Sequence, residues 1–106
     1  MHDYWITRFI KEIMPVIKKN FQPSRVLFFG SRVIGNAPED SDIDVIIISD
    51  NFKNIPFILR MEYILKLVRF PKHVDYLCYT QEEFGTIKES SSIIENALEH
   101  CVEAEL

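Results

Sequence analysis

The sequence predicts one α/β (α+β) domain in which a small mixed sheet is flanked by helices. Three short apolar or alternating segments are typical of strands, and segments of helical periodicity separate them. The predicted order is therefore α-β-loop-β-α-β-α-α, a pattern that favours a mixed sheet. The chain has 106 residues, of which 47% are hydrophobic and 26% charged, as in an ordinary globular domain. We therefore treat residues 1–106 as a single domain.

The first predicted element is an amphipathic helix that begins at Asp3 and extends to Asn20. Its apolar residues recur at intervals of three and four, and Asp3 is suited to accept hydrogen bonds from the first turn. Pro15 lies inside this pattern, and we expect it to kink the helix or end it early. The apolar side should pack on the sheet through Ile6, Phe9, Ile10, Ile13, Met14 and Ile17.

Three segments are predicted as the strands of the sheet. Residues 25–29 (RVLFF) are apolar and aromatic, and a Gly30-Ser31 turn follows them. Residues 42–49 (DIDVIIIS) are rich in β-branched side chains, and residues 73–80 (HVDYLCYT) alternate as a strand does. Because three strands form a small sheet, we expect one edge to need a partner or a fourth short strand.

The second half of the chain predicts three further helices. Pro56 suits the first turn of the first of them. Thr80 precedes an acidic turn in which Glu83 can complete a capping box. The last helix is predicted to begin at Ser91 or Ser92.

Charge and cysteine usage exclude several classes of protein. The net charge is −4 and the basic residues are dispersed, which argues against nucleic acid as a direct stable ligand. Cys78 and Cys101 show no CxxC spacing, so neither a zinc site nor a disulfide framework is indicated. The longest apolar run, residues 45–48, is far too short to cross a bilayer, and no secretion signal begins the chain. We expect a cytoplasmic protein that does not enter the membrane.

Asp42 and Asp44 are the first candidate functional residues. Two residues apart on a strand, they point to the same face, where like charges destabilise each other. A cation should neutralise them, and oxygen ligands favour Mg²⁺ or Mn²⁺. The alternative is a solvated strand entrance at which Asp42 caps a loop.

Asp75 is the third candidate, because a carboxylate inside a strand is again costly. If the two strands are neighbours, Asp75 reaches the same face as the first two carboxylates. Beside Gly30-Ser31, whose backbone could cradle phosphate, the three carboxylates would form a two-metal phosphoryl-transfer site. The alternative for Asp75 is an ion pair with Arg69 or Lys72.

These residues resemble a known motif. Gly30-Ser31, ten further residues and Asp42-Ile43-Asp44 are similar to the GSx10DxD signature of the DNA polymerase beta nucleotidyltransferase superfamily. The strings FFGSRVIG and DSDIDVIII resemble its small prokaryotic branch, the minimal nucleotidyltransferases. The motif core covers residues 26–49, and the element order and Asp75 extend the similarity over most of the chain. The resemblance implies a nucleotidyltransferase fold.

The resemblance also implies the catalytic roles. Asp42, Asp44 and Asp75 would bind two Mg²⁺ ions, with Mn²⁺ as a substitute, and Asp75 would help to activate the attacking hydroxyl. That hydroxyl would attack the α-phosphorus of a nucleoside triphosphate, ATP by default, and release pyrophosphate.

The phosphate-binding residues follow from the same motif. Gly30 and Ser31 would hold the triphosphate, Ser31 through its backbone N–H and its hydroxyl. Arg32 is predicted to contact phosphate, and its alternative is a solvated loop charge.

The resemblance finally implies a partner protein. Larger superfamily members carry a helical domain that holds the acceptor, and this chain ends soon after its core. Minimal nucleotidyltransferases are typically encoded beside a HEPN-domain protein, an RNA-cleaving toxin that they neutralise by transferring AMP to one of its tyrosines.

The main rival hypothesis is a non-catalytic binding module that blocks a HEPN protein. Another hypothesis keeps the enzyme but makes the acceptor a small molecule such as an aminoglycoside, or an RNA end. A further one replaces transfer by two-metal nuclease activity. The sequence leaves open whether the chain forms homo- or hetero-oligomers.

Overall fold

A four-stranded mixed sheet forms the centre of the fold. The computed structural model describes residues 3–35 and 38–106; residues 36 and 37 of the predicted polar loop lie outside that range. The sheet order is β3-β2-β1-β4. Strand β2 pairs in parallel with β3, and β1 pairs antiparallel with both β2 and β4. The strands are β1 (Arg25–Phe29), β2 (Ile43–Ile48), β3 (Val74–Tyr79) and β4 (Val102–Glu103).

Six helices and one 3₁₀ turn (Asp50–Phe52) surround this sheet in the described residues. The predicted α+β fold with a mixed sheet is confirmed. None of the helices so described combines the length and apolarity needed to span a membrane. The helices are α1 (Tyr4–Glu12), α2 (Met14–Phe21), α3 (Ser31–Ile34), α4 (Phe57–Leu67), α5 (Gln81–Ser90) and α6 (Ser92–Glu99).

The long N-terminal helix is interrupted, as Pro15 predicts. Helix α1 ends at Glu12, and Pro15 occupies the first turn of α2, where a missing N–H costs nothing. Asp3 caps α1 by accepting hydrogen bonds from the N–H groups of Trp5 and Ile6, both at 3.0 Å. Both helices turn apolar residues toward the sheet, so the break changes direction without exposing the core.

The two faces of the sheet carry separate layers of the core. Helices α1 and α2, with Ile64 of α4, cover the face that holds Phe28, Val45 and Ile47. Helices α5 and α6 cover the other face through Phe84 and Ile94, which pack against Leu27, Ile46, Ile48 and Tyr79. Alternation along β2 and β3 places Asp44 and Asp75 on this second face, beyond the two helices.

Helix ends in the second half follow the predicted capping. Thr80 accepts a hydrogen bond from the N–H of Glu83 at 3.2 Å, and the Glu83 carboxylate accepts one from the N–H of Thr80 at 2.9 Å. Ser91 caps α6 by accepting from the N–H of Ile94 at 3.3 Å. The predicted capping box is confirmed, and Ser91 is the cap residue.

Two elements go beyond the sequence prediction. Strand β4 has two residues and supplies the expected fourth strand by pairing with Leu27 and Phe28. Helix α3 is a single turn inside the segment predicted as loop. Both are too short to produce a periodic pattern, and β4 also depends on a pairing partner that lies far away in the sequence.

Candidate active site

Strand pairing brings two predicted carboxylates side by side. Asp44 of β2 lies directly opposite Asp75 of β3 in the parallel pair, and Phe29, the last residue of β1, lies opposite Asp44 on the other side. Register partners on neighbouring strands share a face and lie about 5 Å apart. The starts of β2 and β3 and the end of β1 therefore meet at one end of the sheet.

Asp42 and His73 complete the acidic end. His73 Nε2 lies 3.0 Å from Asp75 Oδ1 and 4.0 Å from Asp42 Oδ2. Ligand atoms of Asp42, His73 and Asp75 all lie within 4.8 Å of one another. Two carboxylates and an imidazole are donors that a divalent cation such as Mn²⁺ accepts, and Mg²⁺ prefers the oxygens. The residues present therefore fit a metal ion.

Electrostatics at Asp44 favour the same conclusion. Burial raises the pKa of Asp44 to about 6, and the neighbouring Asp75 and Asp42 carboxylates contribute to that rise, against a smaller lowering by His73. A negative charge here is unfavourable while nothing opposes it. A bound divalent cation would reverse that balance, because it stabilises the ionised carboxylate.

Gly30 sets the turn that faces these carboxylates. Its φ is +83°, a conformation that side chains disfavour. A Cβ at this position would overlap Asp44 Oδ2. Ser31 opens α3 directly afterwards, and N–H groups in a first helical turn have no acceptor within the helix. Gly30 and Ser31 thus present backbone donors next to the carboxylate of Asp44.

The structure gives Arg32 a different position from either sequence interpretation. The side chain is buried, and its guanidinium donates to the carbonyls of Ser41 at 2.7 Å and Glu39 at 2.6 Å and to Asp3 Oδ2 at 3.0 Å. Arg32 therefore ties the loop before β2 to the start of α1. Arg32 is therefore neither a phosphate contact nor a solvated charge, because backbone carbonyls and the half-buried carboxylate of Asp3 accept its hydrogen bonds.

Asp75 pairs with a histidine instead of Arg69 or Lys72, the two alternative partners that the sequence offers. His73 is its partner, whereas Lys72 donates to the Glu39 carbonyl at 2.8 Å. His73 is not among the residues that the sequence predicts for the site. The HxD spacing on a strand could have identified it, because residues i and i+2 share a face.

A cleft of about 700 Å³ opens beside the carboxylates. Asp44 and Asp75 line one part of it, and the side chains of Phe57, Ile58 and Met61 from α4 line another. Its floor comes from the sheet through Phe29, Tyr76, Leu77 and Cys78. The acidic end of the sheet is thus continuous with an apolar wall.

Arg60 is a second arginine that sequence patterns did not single out. It lies on α4 at 3% exposure and donates to the carbonyls of Ile55 and Cys78 and to both carboxylate oxygens of Glu83. That pairing lowers the pKa of Glu83 to about 2. Arg60 is therefore a structural link between α4, β3 and α5, and its charge is already compensated.

A glycine turn that presents backbone N–H groups beside carboxylates that fit a divalent cation is an arrangement suited to metal-assisted phosphoryl chemistry. The sequence profile of the nucleotidyltransferase domain family matches residues 10–103. The chain therefore belongs to the nucleotidyltransferase domain family, whose substrate is a nucleoside triphosphate.

Comparison of structures gives the same result. The chain is similar to a crystal structure from Sulfolobus solfataricus that is provisionally described as a nucleotidyltransferase, with a TM-score of 0.62 and 25% sequence identity. The match covers 91% of this chain and 76% of the other. A search of curated proteins finds no match.

Proposed function

We propose that this protein is a minimal nucleotidyltransferase that transfers AMP from ATP to a hydroxyl group, with Mg²⁺ as cofactor. The observation that carries the proposal is the placement of Gly30 against Asp44, which in turn lies opposite Asp75. This observation supports the proposal because backbone N–H groups and carboxylates lie at one end of the sheet, where they could hold phosphates and metal ions.

In the proposed reaction, the hydroxyl oxygen of the acceptor forms a bond to the α-phosphorus while the bond to pyrophosphate breaks. Two divalent ions, when bound, would neutralise the phosphates and the leaving group. Asp42 and Asp44 would hold them. Asp75, more exposed than Asp44, would complete the metal site on the acceptor side and draw the proton away from the attacking hydroxyl.

Gly30 and Ser31 would orient the triphosphate. The positive φ of Gly30 turns the chain so that the first N–H groups of α3 are available to an anion. Arg32 donates to the carbonyls of Glu39 and Ser41 and so fixes the loop before β2. We therefore assign it a positioning role. It is not part of the proposed phosphate contacts.

We further propose that the acceptor is a tyrosine of a HEPN-domain toxin and that the protein acts as the antitoxin. This finer assignment rests on the resemblance to minimal nucleotidyltransferases. The exposed apolar residues of α4 beside the cleft support a protein acceptor. Both cysteines, which lie in the described part of the chain, are free thiols, which suits a reducing compartment such as the cytoplasm.

The second candidate function is a binding module that blocks a HEPN protein without catalysis. The same apolar surface favours it, because docking alone would need that surface and no metal. The two candidates differ in their dependence on Asp44: transfer requires its carboxylate, whereas docking does not.

The test uses α-labelled ATP, Mg²⁺, the purified protein and extract of its host. We expect covalent label on one host protein, its loss with Asp44→Asn and its retention with Asp50→Asn. Asp50 is an exposed aspartate beyond the opposite end of β2, so it is a matched control. Label on RNA or on a small molecule would change the acceptor class. Complex formation with a HEPN protein and no label from the wild type would favour the binding module.

A further inference from the structure

Helix α4 buries an arginine and exposes most of its large apolar residues. Its buried residues are Arg60 and Ile64, whereas a surface helix normally turns its apolar side inward. Seven large apolar residues remain between 37% and 83% exposed: Phe57, Ile58, Leu59, Met61, Tyr63, Leu65 and Leu67.

Helical geometry divides these residues between two sides of α4. At 100° per residue, Arg60 and Ile64 face the domain, and Glu62 and Lys66 lie on the opposite side. We call the residues on one side the site flank and those on the other side the far flank. The site flank comprises Phe57, Ile58, Met61 and Leu65, and the far flank comprises Leu59, Tyr63 and Leu67.

The site flank is continuous with the candidate active site. Phe57, Ile58 and Met61 share the 700 Å³ cleft with Asp44 and Asp75. Leu65 lines the adjoining cavity of about 390 Å³, which also contacts His73. A molecule bound to the site flank would therefore lie next to Asp75, which we assign to the acceptor side.

We propose that the site flank is the docking surface for the acceptor protein, which lays an apolar segment in the cleft so that its hydroxyl side chain reaches Asp75. This inference rests on the proposed function and identifies the partner surface of that site. At roughly 200 Å² per large apolar residue, the exposed fractions give about 450 Å² of apolar surface. That area suits the centre of a standard interface, which buries about 800 Å² on each partner.

The chemistry of the cleft favours a protein over the other acceptors. Among the described residues that line the cleft, the only cation is Arg60, whose donors are bound to backbone carbonyls and Glu83. A polyanionic RNA would therefore be attracted only weakly. The flank extends about 12 Å from Phe57 to Leu65, which exceeds what a small polar acceptor would cover. An apolar protein segment matches both the length and the polarity.

The test compares Ile58→Glu on the site flank with Leu67→Glu on the far flank. Both residues are exposed, at 83% and 48%, so neither change should affect folding. In the labelling reaction with host extract, we expect Ile58→Glu to reduce label on the acceptor at least tenfold and Leu67→Glu to change it less than twofold. Ile58→Ser, which removes apolar area without adding charge, should reduce it about threefold.

Binding of a fluorescent ATP analogue with Mg²⁺ should be unchanged in Ile58→Ser and Leu67→Glu. Absence of label with the wild type would contradict the proposed function. Equal label with wild type and Ile58→Glu, equal loss in both glutamate variants, or label that ribonuclease removes would overturn the docking surface alone. So would a wild-type dimer in sedimentation equilibrium that Ile58→Glu dissociates, since the flank would then bind a second copy.

Discussion

The two ends of strand β2 have opposite character. Its last four residues, 45–48, are fully buried between the two core layers, and they stabilise the fold by removing apolar surface from water. At its start, Asp44 and the preceding Asp42 lie near Asp75, and burial and the neighbouring carboxylates make ionisation of Asp44 unfavourable. Stability and candidate function are thus separated along one strand. Substitutions at the two ends should therefore have opposite effects.

The largest expected effect is at the acidic end. Asp44→Asn should reduce nucleotidyl transfer by about 10³-fold or more, because the loss of the carboxylate weakens metal binding. Without metal, the same change should raise the free energy of unfolding by about 1–2 kcal/mol, because the unfavourable charge of the half-buried Asp44 is gone. Labelling assays and denaturant unfolding in EDTA measure the two quantities. A variant that is both active and less stable would contradict the proposed separation.

The matching change at the apolar end is Ile47→Ala. Ile47 is fully buried, so the cavity should lower the free energy of unfolding by about 3–4 kcal/mol. Below the unfolding transition, Mn²⁺ affinity should stay within about twofold of wild type. Chemical denaturation and Mn²⁺ titration at low temperature provide the two values. Loss of Mn²⁺ binding in the still-folded variant would show that the ends are coupled.

Gly30→Ala tests the turn beside the acidic end of β2. The positive φ and the overlap with Asp44 Oδ2 should together cost about 1–3 kcal/mol of stability and reduce transfer more than tenfold. Gly35→Ala is the control: it also has a positive φ, but a Cβ there meets nothing within 4 Å. We expect a similar strain cost in the control with transfer largely retained, and equal activity in the two variants would be inconsistent with the proposed role of Gly30.

The raised pKa of Asp44 predicts a pH dependence of stability. The folded value is about 6, against 3.8 for an unperturbed aspartate. This contribution to stability is complete below pH 4 and is lost as pH rises through 6. In EDTA, wild type should lose about 1–2 kcal/mol of unfolding free energy relative to Asp44→Asn between pH 4 and 7.5. Parallel profiles of stability against pH for the two proteins would contradict the assignment of the raised pKa to Asp44.

The smallest expected effect is the contribution of Glu83 to the pH dependence of stability, which is opposite in sign to that of Asp44. The pKa of Glu83 is lowered to about 2 by Arg60, so its contribution is present above pH 4.5 and is lost as pH falls through about 2. Because the Glu83 side chain is 42% exposed, we expect less than about 1 kcal/mol. Acid unfolding of wild type and Glu83→Gln should converge toward pH 2, and a constant difference would exclude the linkage.

The sequence predicts the parts of the fold that depend on local patterns. The apolar runs of β1 and β2, the break before Pro15 and the capping box at Thr80 all arise from neighbouring residues. Strand β4 forms by pairing with β1, which lies more than 70 positions away along the sequence. Its two residues are also too few to show a strand pattern.

Side-chain placement at the site was less predictable for the same reason. Spacing predicts that Asp42 and Asp44 share a face, whereas Asp75 joins them only if the two strands are neighbours, as they are in the structure. The roles of all three stay a prediction. The positions of Arg32 and Arg60 depend on carbonyl groups supplied by other loops. His73 joins the site only because β2 and β3 are neighbours in the sheet.

The most direct test of the proposed site is a Mn²⁺ titration followed by electron paramagnetic resonance, in the presence of a non-hydrolysable ATP analogue. The proposed site predicts two bound Mn²⁺ ions per chain for wild type and for Asp50→Asn, and at most one for Asp44→Asn. Absence of binding in the wild type, or equal binding in wild type and Asp44→Asn, would contradict a metal site built at the acidic end of β2.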